Sequence, residues 1–393
     1  MNNEIPKLQG YRRANGRAGI RNHILVIPTV VCANIVVETL IRQFGTSIVS
    51  VTHPYGCTFD PVSNQEFTDT IVGMATNPNV GAVLIIGLGC ETVNIDEVYD
   101  RVKANQQLVE KINIQANNGT IKTADKAVKI IEEFKRVLAA QEKETIQLSE
   151  LIFGMECGSS DSYSGLSSNP ALGKMADRIV GLGGTVILTE LTEFVGAEDL
   201  LYAQCADETI AAELKDYLGS TEKNLARVGN SELLDIAPGN IAGGLTTLEE
   251  KSLGCIKKGG STPIRQIVTY SEIPSEHGLI VMDAPGHDIE SMIAMAAGGS
   301  QLIFFSTGRG SPTGNPIVPV IKVSSNNRIF ESMPDNIDIS AGSIITGDEN
   351  LDEVAGRIFD LTLDVINGDE TKSELNHSKE FAIRRCGVDV CIL

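Results

Sequence analysis

Residues 278–311 read GLIVMDAPGHDIESMIAMAAGGSQLIFFSTGRGS. The apolar run Gly278–Met282 stops in a turn of small and polar residues, Asp283-Ala-Pro-Gly-His-Asp288. A helical stretch follows. A second apolar run, Gln301–Phe305, then ends in Ser306-Thr-Gly-Arg-Gly-Ser311. Apolar run, glycine-bearing turn, helix and apolar run together form the signature of a βαβ unit with parallel strands. Runs with no polar alternation are what strands buried on both faces require.

The unit recurs in both directions. Upstream, His23–Val31 reads as a strand followed by a helix through Ile35–Phe44. Ser47–Thr52 ends at His53-Pro-Tyr-Gly-Cys57, Ala82–Gly87 ends at Gly89-Cys-Glu91, and Ile112–Gln115 is a fourth strand. Apolar residues recur at helical spacing through Thr123–Gln141. The charged stretch Gln141–Glu150 reads as a linker or exposed helix end, after which Leu151–Gly154 restarts the pattern and leads into Met155–Asp161. Asn169-Pro170 suits a helix N-cap with proline at the first helical position. Thr185–Leu188 runs into Thr189-Glu190, Val318–Val323 is a further strand, and Leu351–Ile366 is the last long helix. The expected fold is α/β: two domains, residues 1–145 and 146–393, with mainly parallel Rossmann-like or flavodoxin-like sheets and helices on both faces.

Composition narrows the functional classes. The chain has 393 residues, 42% hydrophobic and 21% charged, ordinary values for a protein with a core. A formal net charge of −19 argues against a general nucleic-acid binder or docking on an anionic membrane. No apolar run is long enough to span a bilayer, and Met1–Gln9 lacks an apolar signal core. A cytoplasmic location is therefore expected, where eight dispersed cysteines with no CxxC pair do not read as a disulfide framework. No dinucleotide fingerprint, Walker A or HExxH pattern is present.

In open α/β sheets, ligands bind beyond the carboxyl ends of the strands. Cys57, Cys90, Cys157, Glu190, His287 and Arg309 all follow strand candidates. Three strand-end thiolates can hold iron, with or without inorganic sulfide. Cysteine is also a small residue that packs easily at tight turns, and spacing alone leaves both readings open. His53 and His287 are two of five histidines, each either a ligand or proton carrier, or a turn residue held by hydrogen bonds. Arg309, between two glycines, suits a carboxylate or a neighbouring acid. Ser159 and Ser160 sit where backbone and hydroxyl donors can meet an anion or sugar hydroxyls, and Asp161 is either a site acid or a cap. The glycine-rich segment Pro238–Gly260, which carries Lys251, Cys255 and Lys258, reads as a lid or a subunit contact with a short helix over Thr246–Leu253.

Taken in order, several stretches resemble the altronate and galactarate dehydratase family. They are Tyr11–Gly16 with Gly19–Asn22, HPYGC at His53–Cys57, GLGCE at Gly87–Glu91 and ECGSSDSYSGLSSNPALG at Glu156–Gly173. PGNIAGGLTTLEEKSLGC at Pro238–Cys255, DAPGHD at Asp283–Asp288 and FSTGRGSP at Phe305–Pro312 complete the series. The resemblance implies dehydration of a sugar acid to a 2-keto-3-deoxy acid, with iron required as Fe2+ or a labile Fe–S cluster, or with Mn2+ in its place. For that chemistry the candidates among this chain's own residues are Cys57, Cys90, Cys157 and His53 for metal binding, His287, Glu190 or Asp161 for proton transfer, and Arg309, Ser159, Ser160 and Lys251 for substrate binding. Family members carry a small SAF domain ahead of the Tyr11 motif, so the resemblance also implies a separate small SAF-domain subunit, within a homo-oligomer. After Cys57 this chain reads Thr-Phe-Asp-Pro-Val-Ser-Asn, where sugar-acid enzymes carry a Gly-Asp-Asp type of sequence. That departure keeps sulfolactate, cleaved with loss of sulfite by the related two-subunit sulfo-lyases, as an alternative substrate. A non-catalytic sugar-acid-binding protein on the same fold is a third reading, disfavoured by the polar residues kept at the strand ends.

Overall fold

The computed structural model describes residues 7–58, 60–227 and 236–384, with the backbone alone for 224–227. Two parallel sheets dominate. The first has four strands, in the spatial order Val49–Ser50, His23–Pro28, Val80–Gly87 and Leu108–Asn113. The second has seven, in the order Ile264–Val268, Leu279–Met282, Thr185–Leu188, Ile152–Gly158, Leu302–Thr307, Val320–Ser324 and Ile339–Ser340. Every pairing within both sheets is parallel. The α/β reading of the sequence therefore holds, and the opening βαβ unit lies in the larger sheet.

Burial explains why these runs become strands. All eight residues of Val80–Gly87 and all six of Leu302–Thr307 are buried. One face of the small sheet packs on helices Asn34–Phe44 and Thr120–Ala139 through Val26, Leu84, Val37 and Ile131. Its other face and the inner face of the large sheet share one core, which includes Leu25, Ile85, Ile187 and Ile303. Helices Pro61–Ala75 and Asp288–Ala297 contribute Ile71, Met74, Met292 and Met295 to that core. The outer face of the large sheet is covered by Ser168–Gly181 and Leu351–Asn367. A Cβ at Gly73 would stand 2.6 Å from the Ala297 carbonyl oxygen, so only glycine permits this approach of the two middle helices.

Polar side chains lock the sheets together. Asn77 Nδ2 donates to the carbonyls of Ala296 at 2.7 Å and Ser300 at 2.8 Å. Asn79 Nδ2 donates to Gln301 O at 2.9 Å and Ile317 O at 3.1 Å. These buried amides satisfy carbonyls that would otherwise lack donors.

The structure departs from the sequence reading in local ways. The stretch 141–150 contains the strand Glu144–Ile146, which pairs antiparallel with Leu8–Arg12 in a third, small sheet completed by Ala18–Gly19. The helix expected from Asn169 begins at Ser168. Asn169 instead donates to Gly254 O at 3.0 Å and accepts from Ser306 Oγ at 2.5 Å. Among the described residues no helix is long and apolar enough to cross a membrane.

Candidate active site

The large sheet changes its direction of growth between Ile152–Gly158 and Leu302–Thr307. The chain passes from the first of these to Thr185–Leu188 on one side and later adds Leu302–Thr307 on the other. Such a switch point opens a crevice at the carboxyl ends of the strands. Two non-glycine residues in the left-handed region mark this edge: Ser159, φ 53°, and Glu190, φ 72°. Strain of this kind persists where surrounding structure imposes it, commonly at functional sites.

A buried cluster of charge and sulfur fills the crevice. Cys157 Sγ lies 3.3 Å from Cys255 Sγ, 3.0 Å from Glu193 Oε2 and 3.6 Å from Glu190 Oε2. Lys258 Nζ donates to Glu190 Oε2 at 2.5 Å and to Cys157 Sγ at 2.9 Å. Lys251 donates to Glu193 Oε1. Behind them, Glu156 Oε2 accepts from Ser291 Oγ at 2.6 Å, and Ser291 in turn contacts Thr189 Oγ1 at 2.7 Å.

Electrostatics follow from this crowding. Hydrogen bonding to Cys255 and burial push the Cys157 thiol well above its usual range. Burial and the neighbouring Glu190 charge raise Glu156 well above the carboxylate range. Burial and Glu193 raise Glu190, against the opposing charge of Lys258. For Glu193 burial acts upward, but Lys251 and Lys258 outweigh it and hold the carboxyl at about 2. Burial, with Glu190 and Glu193, raises Asp288 to about 7. Burial disfavours the Lys251 and Lys258 ammoniums, yet the surrounding acids and sulfurs hold both raised.

A pocket of about 230 Å³ adjoins the cluster, lined among others by Ser160, Asp161, Lys251, Cys255 and Lys257. Its walls are the loop after Gly158 and helix Leu248–Cys255, capped by Thr247 accepting from Glu250 N. Gly165 and Gly254 let these walls touch, since a Cβ on Gly165 would lie 2.9 Å from Gly254 Cα. The segment expected as a lid or subunit contact is thus packed down, with Cys255 and Lys258 buried in the site.

Sequence reasoning placed Cys157, Glu190 and Lys251 at strand ends or on the glycine-rich loop, and the structure brings them together. Ser160 joins them at the pocket, its buried Oγ without a partner among the described residues. Asp161 is a hub: Oδ1 accepts from Tyr163 N, Ser164 Oγ and Ser325 Oγ, and Oδ2 accepts from Asn326 Nδ2. A carboxylate so fully engaged organises loops and has little capacity left for proton transfer. Ser159 is exposed, and its carbonyl accepts from Gly308 N and Arg309 N. Arg309 is exposed and donates to Gly239 O at 2.5 Å, tethering the helix Pro238–Ala242. His287 points outward, its side chain 61% exposed, while the next residue, Asp288, turns inward. Glu193, Cys255, Lys258 and Asp288 received no role from the sequence. The one signal for Glu193 was its position three residues after Glu190.

The expected metal set does not assemble into one site. Cys57 and Cys90 lie exposed at the carboxyl edge of the small sheet, where Cys32 is also exposed. Cys157 belongs to the large sheet. His53 is buried, with Nε2 2.8 Å from Pro28 O and Nδ1 accepting from Tyr55 N at 3.2 Å, so both ring nitrogens are engaged. Among the described residues the groups of three or more close donors are Cys157, Glu193 and Cys255, and Glu156, Glu190 and Asp288. The first already holds the Lys258 ammonium against its sulfur.

Comparison with known proteins agrees with this architecture. The family profile of the D-galactarate/altronate dehydratase C-terminal region matches residues 148–389, and that of the D-galactarate dehydratase/altronate hydrolase second domain matches residues 10–139. The chain is 32% identical to altronate dehydratase of Bacillus subtilis, with 98% of this chain aligned to 79% of that protein. It is 34% identical to altronate dehydratase of Escherichia coli, over 97% of this chain and 78% of that protein. It is also 34% identical to the (2R)-sulfolactate sulfo-lyase subunit beta of Chromohalobacter salexigens, over 96% of each. Two family profiles that together run nearly end to end, and relatives above 30% identity over most of their length, show that the chain belongs to the D-galactarate/altronate dehydratase family and is an enzyme of the hydro-lyase type.

Proposed function

We propose that the chain dehydrates a sugar acid of the altronate or galactarate type to a 2-keto-3-deoxy sugar acid, in the pocket bounded by Ser160, Lys251 and Cys255. The observation that carries this reading is the opening of the pocket onto a buried acid–thiol–lysine cluster through Cys255. Dehydration removes a proton from the carbon beside the carboxylate and a hydroxyl from the next carbon. The enol that results tautomerises to the 2-keto acid. The difficulty is negative charge growing beside an anionic group, which positioned cations offset. Lys251 and Lys257 line the pocket and supply them. Glu190 is the base in this scheme, reached through Cys255 and Cys157. Ser160 offers its unpartnered hydroxyl to a substrate oxygen.

Iron was expected on Cys57, Cys90, Cys157 and His53. Because those residues do not form one donor set, no step of this scheme passes through iron. A small SAF-domain subunit and a homo-oligomer are part of the proposal. The relative named a beta subunit, which this chain matches over 96% of its length, supports a second kind of subunit; the SAF domain and the homo-oligomer rest on the family resemblance alone.

The test is an anaerobic assay of the purified chain, with and without such a small subunit and with divalent metal supplied. Altronate, galactarate and sulfolactate are offered in turn. A 2-keto-3-deoxy acid from a sugar acid, lost in Cys255→Ala and Lys251→Met, is the expected result. Sulfite from sulfolactate alone would replace the leaving group while keeping the site. No product from any of the three would overturn the reading.

A further inference from the structure

Cysteine is among the residue types most often buried, yet Cys32, Cys57 and Cys90 are all exposed. Each follows a strand of the four-stranded sheet: Cys32 comes after His23–Pro28, Cys57 after Val49–Ser50 and Cys90 after Val80–Gly87. Those strands are neighbours, with His23–Pro28 between the other two and all three parallel. The three thiols therefore belong to one edge of one sheet, whose strands lie about 4.8 Å apart.

Direct contacts join the three loops. Val31 N donates to Tyr55 O at 2.9 Å, and Thr92 N donates to Gly56 O at 3.1 Å. A Cβ at Gly56 would stand 2.6 Å from Val30 Cα, and its φ of 106° is one that side chains rarely adopt. Gly56 thus seats the Cys57 turn against the Cys32 loop on one side and the Cys90 loop on the other. Thr29 Oγ1 donates to Glu91 Oε1 at 2.9 Å and ties the Cys90 loop to the first strand. Each cysteine is one or two residues from one of these contacts.

The chemistry of the donors is narrow. Glu91 is engaged by its own turn, since it also accepts from Leu88 N at 3.1 Å and Gly89 N at 2.5 Å. Both ring nitrogens of His53 are engaged as well. Sulfur remains, and thiolates select zinc, copper(I) or iron with inorganic sulfide. A single tetrahedral ion with sulfur at about 2.3 Å draws its thiolates to roughly 3.8 Å from one another. Among the described residues, the donor groups that close within 4.8 Å are the two in the large sheet, and these three sulfurs do not form one. An iron–sulfur cluster distributes its thiolates over several irons and suits the wider set.

We propose that Cys32, Cys57 and Cys90 bind one [4Fe–4S] cluster at the carboxyl edge of the four-stranded sheet. Three thiols lose their protons and bind one iron each. The fourth iron takes no sulfur from this set, so it is open to an oxygen ligand and makes the cluster labile in air. Cys157, in the other sheet, takes no part. The proposal does not rest on the dehydration reading, and its test needs no turnover.

The full-length chain is reconstituted anaerobically with ferric iron, sulfide and dithiothreitol. Four ferric ions, four sulfides and two electrons, which the dithiol supplies as it closes to its disulfide, give the [4Fe–4S]2+ state. Iron and sulfide are then assayed, with visible absorption and the electron paramagnetic resonance of the dithionite-reduced sample. Four irons and four sulfides per chain are expected, with a broad absorption that dithionite bleaches. Cys32→Ser, Cys57→Ser and Cys90→Ser should each lose most of both, and their exposed positions favour retained folding. Cys157→Ala and Cys255→Ala should keep the wild-type content. A full cluster in Cys32→Ser would overturn this ligand set. Iron bound without sulfide, or no stoichiometric iron and sulfide in the wild type, would overturn the cluster itself.

Discussion

Lys258 Nζ stands 2.5 Å from Glu190 Oε2, and neither side chain is exposed to solvent. The pair is the electrostatic centre of the site, because Lys258 also reaches Cys157 and lies 3.8 Å from Glu193 Oε2. Replacing Lys258 by Met would leave two buried carboxylates with only Lys251 to balance them. Removing one partner of a buried pair costs about 3–5 kcal/mol. Lys258→Met should therefore unfold at markedly lower urea concentration and lose turnover. A loss below about 1 kcal/mol would mean that the neighbouring acids simply protonate, and that the lysine matters less than its position suggests.

Gly158 gives a second, purely steric prediction. A methyl group there would overlap Asp288 Oδ2 and lie 2.6 Å from Phe305 Cζ. Overpacking of this kind costs about 1–3 kcal/mol. Gly158→Ala should destabilise the chain by that amount and push Asp288 away from Glu156 and Glu190. Wild-type stability in this variant would show that helix Asp288–Ala297 yields without cost.

How much of this could be read from the sequence depended on burial. Leu279–Met282 and Leu302–Thr307 were legible because strands covered on both faces are apolar throughout. Leu8–Arg12 and Glu144–Ile146 were not, because they are short, partly exposed and polar, and they pair only across 136 or so residues of chain. At the site, strand-end logic found Cys157 and Glu190. It also joined Cys157 to Cys57 and Cys90, because position after a strand does not say which sheet the strand enters. Lys258 was hidden in a Lys-Lys pair of which one member, Lys257, is exposed in the ordinary way. In Asp283–Asp288 the sequence favoured His287, because imidazole is a common ligand and proton carrier. The fold turns His287 out and Asp288 in.

The cysteines provide a chemical check on that division. Cys32, Cys57 and Cys90 are exposed, whereas Cys157 and Cys255 are 1% exposed. Brief treatment of the native chain with iodoacetamide, mapped by peptide mass spectrometry, should modify the first three and spare the last two. Cys157 and Cys255 should react only in denaturant. Their rapid modification in the native state would contradict the packed-down position of helix Leu248–Cys255. The same division bears on iron. If Cys57 and Cys90 hold any after anaerobic reconstitution, Cys157→Ala should retain it, and an equal loss in Cys157→Ala and in the double variant Cys57→Ser/Cys90→Ser would reunite the three thiols.

His53 sets a pH dependence of stability. Its Nε2 faces the Pro28 carbonyl, which can only accept, so Nε2 carries the proton and Nδ1 accepts from Tyr55 N–H. The ring packs among Tyr55, Phe67 and Phe381, and among the described residues no acid acts on it to favour its cation. Burial accordingly lowers it from 6.5 to about 4, against a smaller opposing effect of the Pro28 carbonyl. Between those values the unfolded chain holds a proton that the folded chain does not, so protonation favours unfolding. The contribution is fully present above pH 6.5, is lost as pH falls toward 4, and amounts to at most about 3 kcal/mol. His23, which burial also lowers to about 4, adds to the loss in the same window. His53→Gln keeps a donor for Pro28 but cannot titrate. Its unfolding free energy, measured in urea from pH 7 to pH 4, should fall less steeply than that of the wild type. Equal slopes would mean that the His53 ring is solvated in the folded chain, and its neutral imidazole would then be available again as a ligand.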